Sequence, residues 1–337
     1  MPGTYYNVLD PLFETAGLIS ASHNADKMRS ETVQALNEMG INGDEFYSRY
    51  MPVFDDYVHE FRKHYTPGIS DALFFEGIET GMLLLILSIL TENRSRIQAI
   101  DQFEDSDINA EIIELICELY QITPDGGTSI HNDHMSILEK SQLSDSEKWK
   151  LLKIMNSPKI HLQQLVDSIN ANRAAFEAAQ KKISVPLKKL IAQYAGKDEK
   201  TELFGKMKKS LSKTADVYPS LAFPISQMIF SNCCYYGLLS SLLINQDSSN
   251  QNTTLRCLKA LGDASRLEIL RLIKKKPMYN LEIAEQLGLT AATMSHHMSI
   301  LLSCGFVGVT KQESKVYYHL ENEFIHKFIK LLEKSLI

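Results

Sequence analysis

The stretch NLEIAEQLGLTAATMSHHMSILLS, residues 280–303, decides the fold of the last quarter of the chain. Two segments with helical spacing of apolar residues flank Gly288, which can adopt the left-handed conformation of a tight turn between helices. Asn280 and Thr290 stand where the side-chain caps of the two helices are expected. The stretch therefore predicts a helix–turn–helix whose second helix covers Ala291–Ser303.

The two faces of this second helix differ in chemistry. Met294, Met298 and Leu301 recur at the spacing of one helix face, which predicts that they pack in the core. The opposite face carries short hydroxyl and imidazole side chains, which can approach base edges in a major groove and bond them. The side chains of the adjacent residues His296 and His297 diverge by about 100° around the helix, so we do not expect them to bind one metal ion together. The helix residues that we expect to face DNA are Thr290, Ala292, Thr293, Ser295, His296, His297 and Ser299.

A β-hairpin is predicted directly after this helix. The runs Phe306–Lys311 and Val316–Leu320 are rich in β-branched and aromatic residues and flank a polar tip. Lysines at the tip of such a wing suit the backbone phosphates beside the groove. We therefore expect further DNA contacts from Lys311, Lys315 and Tyr317.

Helical spacing surrounds these motifs on both sides. The flanking helices are predicted over Leu255–Leu261, Ser265–Lys275 and Glu323–Leu336. The predicted fold class is mainly α: a helical N-terminal domain followed by a C-terminal winged helix-turn-helix with a two-stranded β wing.

Four sequence blocks occur here in order: ALGDASRLEIL (260–270), IAEQLGL (283–289), MSHHM (294–298) and VYYHL (316–320). Together they resemble the arsenic-repressor (ArsR/SmtB) family of winged-helix regulators over about residues 253–337. The resemblance implies a homodimeric bacterial transcription regulator, with repression as the expected sign and a palindromic double-stranded DNA operator as the partner. It also implies that the first and last helices form the dimer interface. The opening segment Tyr5–Ile19 is similar to long family members with a helical N-terminal region.

Metal ligands of that family are missing at the matching positions. Cysteines often begin the third helix of family metal sensors, where this chain has Tyr279 and Leu281. Other members carry ligands on the last helix, where this chain offers only His326 and Glu333 at the wrong spacing. We therefore predict no metal site in residues 253–337 and no cofactor.

Charge is distributed unevenly along the 337 residues. The net charge is −6, but residues 253–337 hold 12 basic and 8 acidic residues and are positive, so the remainder is strongly acidic. A basic segment with a nucleic-acid-binding pattern favours DNA as its partner over a protein partner. The alternative hypothesis is a protein-interaction scaffold whose winged helix docks another protein.

The polar run NQDSSNQN at 245–252 contains no hydrophobic residue and predicts a linker. It divides the chain into a helical effector or assembly domain, residues 1–244, and a DNA-binding domain, residues 253–337. In the first domain we predict a final apolar helix over Ile225–Ile244 that carries Cys233 and Cys234. These thiols are interpreted as small buried hydrophobes, with a thiol sensor as the alternative.

The stretches Ile69–Leu90 and Ser220–Ile244 are rich in methionine and aromatic residues. Such helices line either a tight core or an apolar pocket, so the domain is interpreted as an assembly scaffold or as the sensor of a small apolar effector.

Several protein classes are not expected. The longest apolar stretch, Gly81–Leu90, is too short to cross a bilayer, which needs about 20 residues. Five irregularly spaced cysteines and the absence of a signal peptide indicate a soluble cytoplasmic protein in a reducing compartment. No glycine-rich phosphate loop or nucleophile elbow is present, so an enzyme is not predicted and no catalytic residue is proposed.

Overall fold

The computed structural model describes residues 4–92, 94–97, 99–120, 122, 134–141, 143–195, 216–230, 232–245, 250–289, 291–312 and 315–337. The chain divides into two compact units. The first unit takes the described parts of 1–28, 51–197 and 214–239, and the second takes 29–50 and 240–337. The described residues of the second unit therefore come from two separate pieces of sequence.

Helices dominate the first unit. Apolar residues at helical spacing are buried along them. Ser144 caps one of these helices through a capping box, in which the Ser144 side chain accepts from the Glu147 amide and the Glu147 side chain accepts from the Ser144 amide. Helix α1, Pro11–Glu38, is kinked at Asn24, and its residues up to 28 belong to this unit. The other helices are α3 Pro52–His64, α4 Asp71–Phe75, α5 Thr80–Glu92, α6 Arg94–Ile97, a 3-10 turn Ile100–Gln102, α7 Asp105–Tyr120, α8 His134–Lys140, α9 Asp145–Asn156, α10 Pro158–Ala171, α11 Arg173–Lys182 and α12 Ser184–Ala195.

A three-stranded sheet replaces most of the helix that was predicted over Ile225–Ile244. Its strands are β1 Asp216–Ser220, β2 Gln227–Ile229 and β3 Cys233–Gly237, with β3 in the centre, parallel to β1 and antiparallel to β2. Every residue of β3 is buried. A fully buried strand is apolar without alternation, so its sequence cannot be distinguished from a buried helix by spacing. The prediction was wrong there, and only α13, Ser240–Asn245, is helical.

The turn after β1 is held by the carboxylate of Glu14, which is fully buried. Glu14 accepts hydrogen bonds from Tyr57 Oη at 3.0 Å and Ser220 Oγ at 2.6 Å. It also accepts from the backbone amides of Leu221 at 3.1 Å and Ala222 at 3.0 Å. Burial nevertheless raises the pKa of Glu14 to about 7, because it outweighs these donors.

The second unit contains the predicted helix–turn–helix and wing, and its fold class agrees with the prediction. A short third strand, β4, extends the expected two-stranded wing, giving an antiparallel sheet of order β4-β6-β5. Its elements are α2 Gly43–Tyr50, α13 Ser240–Asn245, α14 Asn250–Leu261, α15 Ala264–Lys275, β4 Met278–Tyr279, α16 Asn280–Leu287, α17 Ala291–Cys304, β5 Val307–Gln312, β6 Lys315–Leu320 and α18 Asn322–Leu336, together with the end of α1.

Helix α14 begins at Asn250, earlier than the predicted Leu255, so the end of the polar run is helical. The N-terminal piece of the unit packs close to this helix: a Cβ on Gly40 would lie 3.6 Å from the Cα of Arg256. Gly40 has a φ of +78°, which favours glycine at this position. Leu36, Phe46 and Tyr47 of this piece are buried.

No described helix is both long enough and apolar enough to cross a membrane.

Candidate nucleic-acid interface

The turn between α16 and α17 sets the direction of the second helix. Gly288 ends α16 in the left-handed conformation with a φ of +62°. The amide of Leu289 donates to the carbonyl of Ala284 at 2.9 Å, which satisfies a carbonyl that the end of the helix leaves free. A β-carbon would strain this backbone, so the glycine is required by conformation. This confirms the turn that the sequence predicts.

The inner face of α17 is fixed in the core of the second unit. Met294, Met298 and Leu301 are 0%, 1% and 0% exposed. They belong to one cluster with Ile269 of α15 and Ile283 of α16. Three well-packed contacts along one face fix the rotation of the helix about its axis, so the opposite face is determined as well.

The predicted DNA-facing residues of α17 differ in how far the structure describes them. Thr293 and Ser299 are exposed. His297 is turned toward the side of the helix: its side chain is only 12% exposed, and Nδ1 lies 4.0 Å from Asp263 Oδ1. Thr290 lies outside the described residues. Ala292, Ser295 and His296 belong to α17, but their side chains lie outside the described part.

Asp263 supports α17 in a way that sequence reasoning did not identify. Its side chain caps α15 by accepting from the Arg266 amide at 2.9 Å. Partial burial acts to raise the pKa of this carboxyl, but the Arg266 amide, the Arg266 guanidinium and His297 outweigh it and hold the pKa below its ordinary value. The capping signal was visible in the sequence, whereas the approach of His297 depends on how α17 packs.

The wing forms the hairpin that the sequence predicts. Lys311 pairs with Val316, and Gln312 pairs with Lys315, next to the tip. The side chains of Lys311 and Lys315 lie outside the described part. Tyr317 is half-buried, and its ring meets the edge of Tyr279 at a centroid distance of 5.9 Å.

Arg256 of α14 holds the C-terminal end of α17. Its Nη2 donates to the carbonyl of Ser303 at 3.3 Å, and its Nη1 donates to the carbonyl of Leu243 at 3.0 Å. A cation near the C-terminus of a helix is stabilising because it neutralises unpaired carbonyls. The sequence gives no sign of this role, since Arg256 and Ser303 are 47 residues apart.

Tyr279 stands at a position where the sequence resemblance leads us to look for a metal ligand, and its backbone takes part in a helix cap instead. The amide of Tyr279 donates to Glu282 Oε2 at 3.2 Å at the start of α16, where other family members place cysteines. Within the described residues, no group of three or more His, Cys, Asp or Glu side chains could hold a metal ion.

The aromatic residues considered for an effector pocket are mostly core. Phe74, Phe75 and Met82 are at most 1% exposed. Tyr235 stacks on Phe13 at a centroid distance of 3.4 Å, and Phe223 packs edge-on against Phe13 at 5.3 Å. The other buried aromatic residues of this set are Phe230 and Tyr236.

A small cleft elsewhere in the first unit is partly open to solvent and has a volume of about 20 Å³, room for about one water molecule. It lies among α5, α6, α7 and α10, and its lining is aliphatic and aromatic except for one carboxylate. The lining residues are Ile89, Ile97, Ile100, Phe103, Ile108, Glu111, Ile112 and Leu162.

Comparison with known proteins places the similarity in the second unit. Residues 263–309 match the family described as "Bacterial regulatory protein, arsR family". A probable mercury resistance operon repressor of Streptomyces lividans is 31% identical over 70 residues, which are 21% of this chain and 56% of that protein. An uncharacterised HTH-type transcriptional regulator of Methanocaldococcus jannaschii is 32% identical over 77 residues, 23% of this chain and 86% of that protein. An arsenical resistance operon repressor of Staphylococcus aureus is 33% identical over 75 residues, 22% of this chain and 72% of that protein.

No solved structure matches the chain significantly. The matched segment covers little more than half of the Streptomyces lividans protein and about a fifth of this chain. It includes α15, the helix–turn–helix and the start of the wing, which are the elements whose geometry is described above. By this segment and its fold, the chain belongs to the arsR family of bacterial regulatory proteins.

Proposed function

We propose that this protein is a sequence-specific DNA-binding transcriptional repressor that reads its operator with α17. The observation that carries the proposal is the division of α17 into a buried apolar face and an exposed polar face directly after the Gly288 turn. The repressors of mercury and arsenical resistance operons that match this segment support the regulatory role.

The dimensions of α17 suit a major groove. Its 14 residues give a length of about 21 Å, and a B-DNA major groove of about 12 Å width admits one helix. The exposed hydroxyls of Thr293 and Ser299 are short, so the backbone can come close to base edges. His296 is the residue that we expect to make a base contact, with Thr290, Ala292, Ser295 and His297 beside it. Lys311, Lys315 and Tyr317 of the wing are proposed to contact the DNA backbone.

A homodimer is proposed because the first and last helices of the winged helix expose apolar side chains. Leu255 and Leu258 on α14 are 52% and 44% exposed, and Ile329 on α18 is 48% exposed. Helices α14 and α18 pack against each other within the second unit, so these residues belong to adjoining helices. A two-fold dimer would place two copies of α17 on half-sites of a palindrome about one DNA turn apart.

The first unit is proposed to sense a small apolar effector or to serve in assembly. The run 245–252 is the proposed junction between an effector or assembly domain within residues 1–244 and a DNA-binding domain, residues 253–337, to whose unit residues 29–50 also belong. The lining of the cleft among α5, α6, α7 and α10 favours the sensing role, because apolar walls with one polar group are typical of small-molecule sites, and the cleft would have to widen to admit an effector. An effector must bind the DNA-bound and DNA-free forms with different affinity.

Selection of genomic fragments with the purified full-length protein tests the DNA proposal. Selected fragments should bind more tightly than random duplexes of equal length, and binding should weaken with salt because phosphate contacts release counterions. His296→Ala should cost about 1–3 kcal/mol on the selected site and relax base preference. Lys315→Ala, the matched control for phosphate contacts, should weaken binding to all duplexes alike. Equal affinity for selected and random DNA would refute the proposal and favour a winged helix that docks a protein.

A further inference from the structure

Two buried cysteines connect α14 to the C-terminal end of α17. Cys257 lies on α14 and is 0% exposed, and Cys304, the last residue of α17, is 3% exposed. The Cys257 thiol donates to the carbonyl oxygen of Cys304 at 4.0 Å, and the two side chains interact with each other within one buried cluster. Both are free thiols. Their side chains therefore face each other across the core of the second unit, although 47 residues separate them in sequence.

A positive charge lies beside this pair. Arg256 is anchored by the carbonyls of Leu243 and Ser303, and its buried Nε has no hydrogen-bond partner within the part of the chain that the structure describes. The hydrogen bond from Cys257 lowers the pKa of the Cys304 thiol, and the Arg256 charge adds to this effect against the opposing effect of burial. The same hydrogen bond and burial raise the pKa of Cys257. Cys304 is therefore the thiol that ionises first and the nucleophile of the pair.

The other three cysteines differ from this pair in their surroundings. Cys233 and Cys234 are consecutive residues of β3, so their side chains point to opposite faces of the sheet. Burial raises the pKa of Cys233 to about 11. Cys117 lies on α7, and burial together with Glu114 raises the pKa of its thiol. These environments disfavour a reactive thiolate.

We propose that Cys257 and Cys304 form an oxidisable pair, which a small hydroperoxide converts into an intramolecular disulfide that ties α14 to the end of α17. The thiolate of Cys304 attacks one oxygen of hydrogen peroxide. The O–O bond breaks, and the hydroxide that leaves takes up a proton to form water. The sulfenic acid on Cys304 is then attacked by the sulfur of Cys257. The S–O bond breaks, a second water leaves, and the S–S bond forms. Two thiols are oxidised while one peroxide is reduced to two waters, and a dithiol reductant reverses the change.

The bond would change the position of the DNA-reading helix, and this part rests on the proposed function. A disulfide requires the two sulfur atoms to approach to about 2.05 Å, which is shorter than any hydrogen-bonded contact of thiols. Because α17 ends at Cys304, the movement acts at the end of that helix, while the Gly288 turn holds its start. We expect oxidation to lower operator affinity by about fivefold or more, the lower range of ordinary allosteric coupling.

The test uses the full-length protein with hydrogen peroxide as the oxidant. After treatment, free thiols are blocked with N-ethylmaleimide, and non-reducing digests are mapped by mass spectrometry. We expect a cross-linked peptide that contains Cys257 and Cys304, its disappearance after dithiothreitol, and its persistence in a Cys117→Ala control. Cys257→Ala should leave Cys304 as an over-oxidised acid without a cross-link. If that variant does not fold, Cys304→Ala should leave Cys257 blocked by N-ethylmaleimide, and the wild-type map remains decisive.

Recovery of Cys257 and Cys304 as blocked thiols, while Cys117 is oxidised, would overturn the proposal. The operator titration is a separate measurement on the reduced and oxidised protein. Equal operator affinity of the two forms would overturn the regulatory role of the disulfide. Failure of the reduced protein to bind any selected fragment would refute the proposed function and leave the peptide map as an independent result.

Discussion

The buried carboxylate of Glu14 should make the stability of the first unit depend on pH. Its pKa in the folded protein is about 7, against 4.5 for the free side chain. A group whose pKa is raised by folding contributes its stability in full below the unfolded pKa, and the contribution is lost as pH rises through the folded pKa. This difference in pKa between the folded and unfolded protein corresponds to a loss of about 3 kcal/mol in the free energy of unfolding as pH rises from about 4.5 to above about 7. The first unit should therefore be more stable near pH 5 than near pH 8.

Glu14→Gln isolates this effect because glutamine keeps a carbonyl acceptor and cannot ionise. Urea unfolding of the full-length wild type and the variant, followed by circular dichroism from about pH 5 to about pH 8, gives the free energy of unfolding of each protein. Hydrogen exchange of residues 216–222 assigns the transition to the first unit. As pH rises, the free energy of unfolding of Glu14→Gln should increase relative to that of the wild type by up to about 3 kcal/mol.

Glu14→Ala is the matched control. It removes the acceptor of the Leu221 and Ala222 amides and should be less stable at every pH, by about 1–3 kcal/mol for each amide left unpaired. If the free energies of unfolding of the wild type and Glu14→Gln changed with pH in parallel, the reasoning would be refuted. A wild type that gains stability relative to Glu14→Gln as pH rises would show that the four donors outweigh burial.

Three further predictions concern the second unit. Met298→Ala should cost about 2–5 kcal/mol in urea unfolding because the side chain is 1% exposed, whereas Ser299→Ala on the exposed face should change stability by less than about 0.5 kcal/mol. Leu258→Glu should shift the protein to a monomer in light scattering, and Leu267→Glu on α15, at a similarly exposed leucine, should leave the dimer intact. Residues 253–337 should hold no stoichiometric zinc or cadmium in elemental analysis of the dialysed protein, and one tightly bound ion per chain that these residues ligate would contradict this.

Local patterns were sufficient to predict the winged helix from the sequence. The spacing of Met294 and Met298 predicts their burial, and Gly288 predicts the turn, because these features depend on residues a few positions apart. The exposure of Thr293 and Ser299 follows from the same periodicity.

Long-range contacts limited the prediction elsewhere. The strand Cys233–Gly237 was predicted as helix because its pairing with Asp216–Ser220 is a contact between distant segments. The bond between Glu14 and Ser220 spans 206 residues, and no local pattern indicates it. In the same way, Arg256 and Cys304 acquire their surroundings from the packing of α14 against α17.

The division of the second unit into two sequence pieces affects how the protein is made. Residues 29–50 leave the ribosome well before α14, the helix beside which Gly40 packs, has been synthesised. At about 5–20 residues per second, these residues wait roughly 10–40 s for α14. During that time Leu36, Phe46 and Tyr47, which are buried in the finished protein, lack the helix beside which Gly40 packs. Nascent chains of this protein should therefore present an apolar segment to chaperones until α14 has been synthesised.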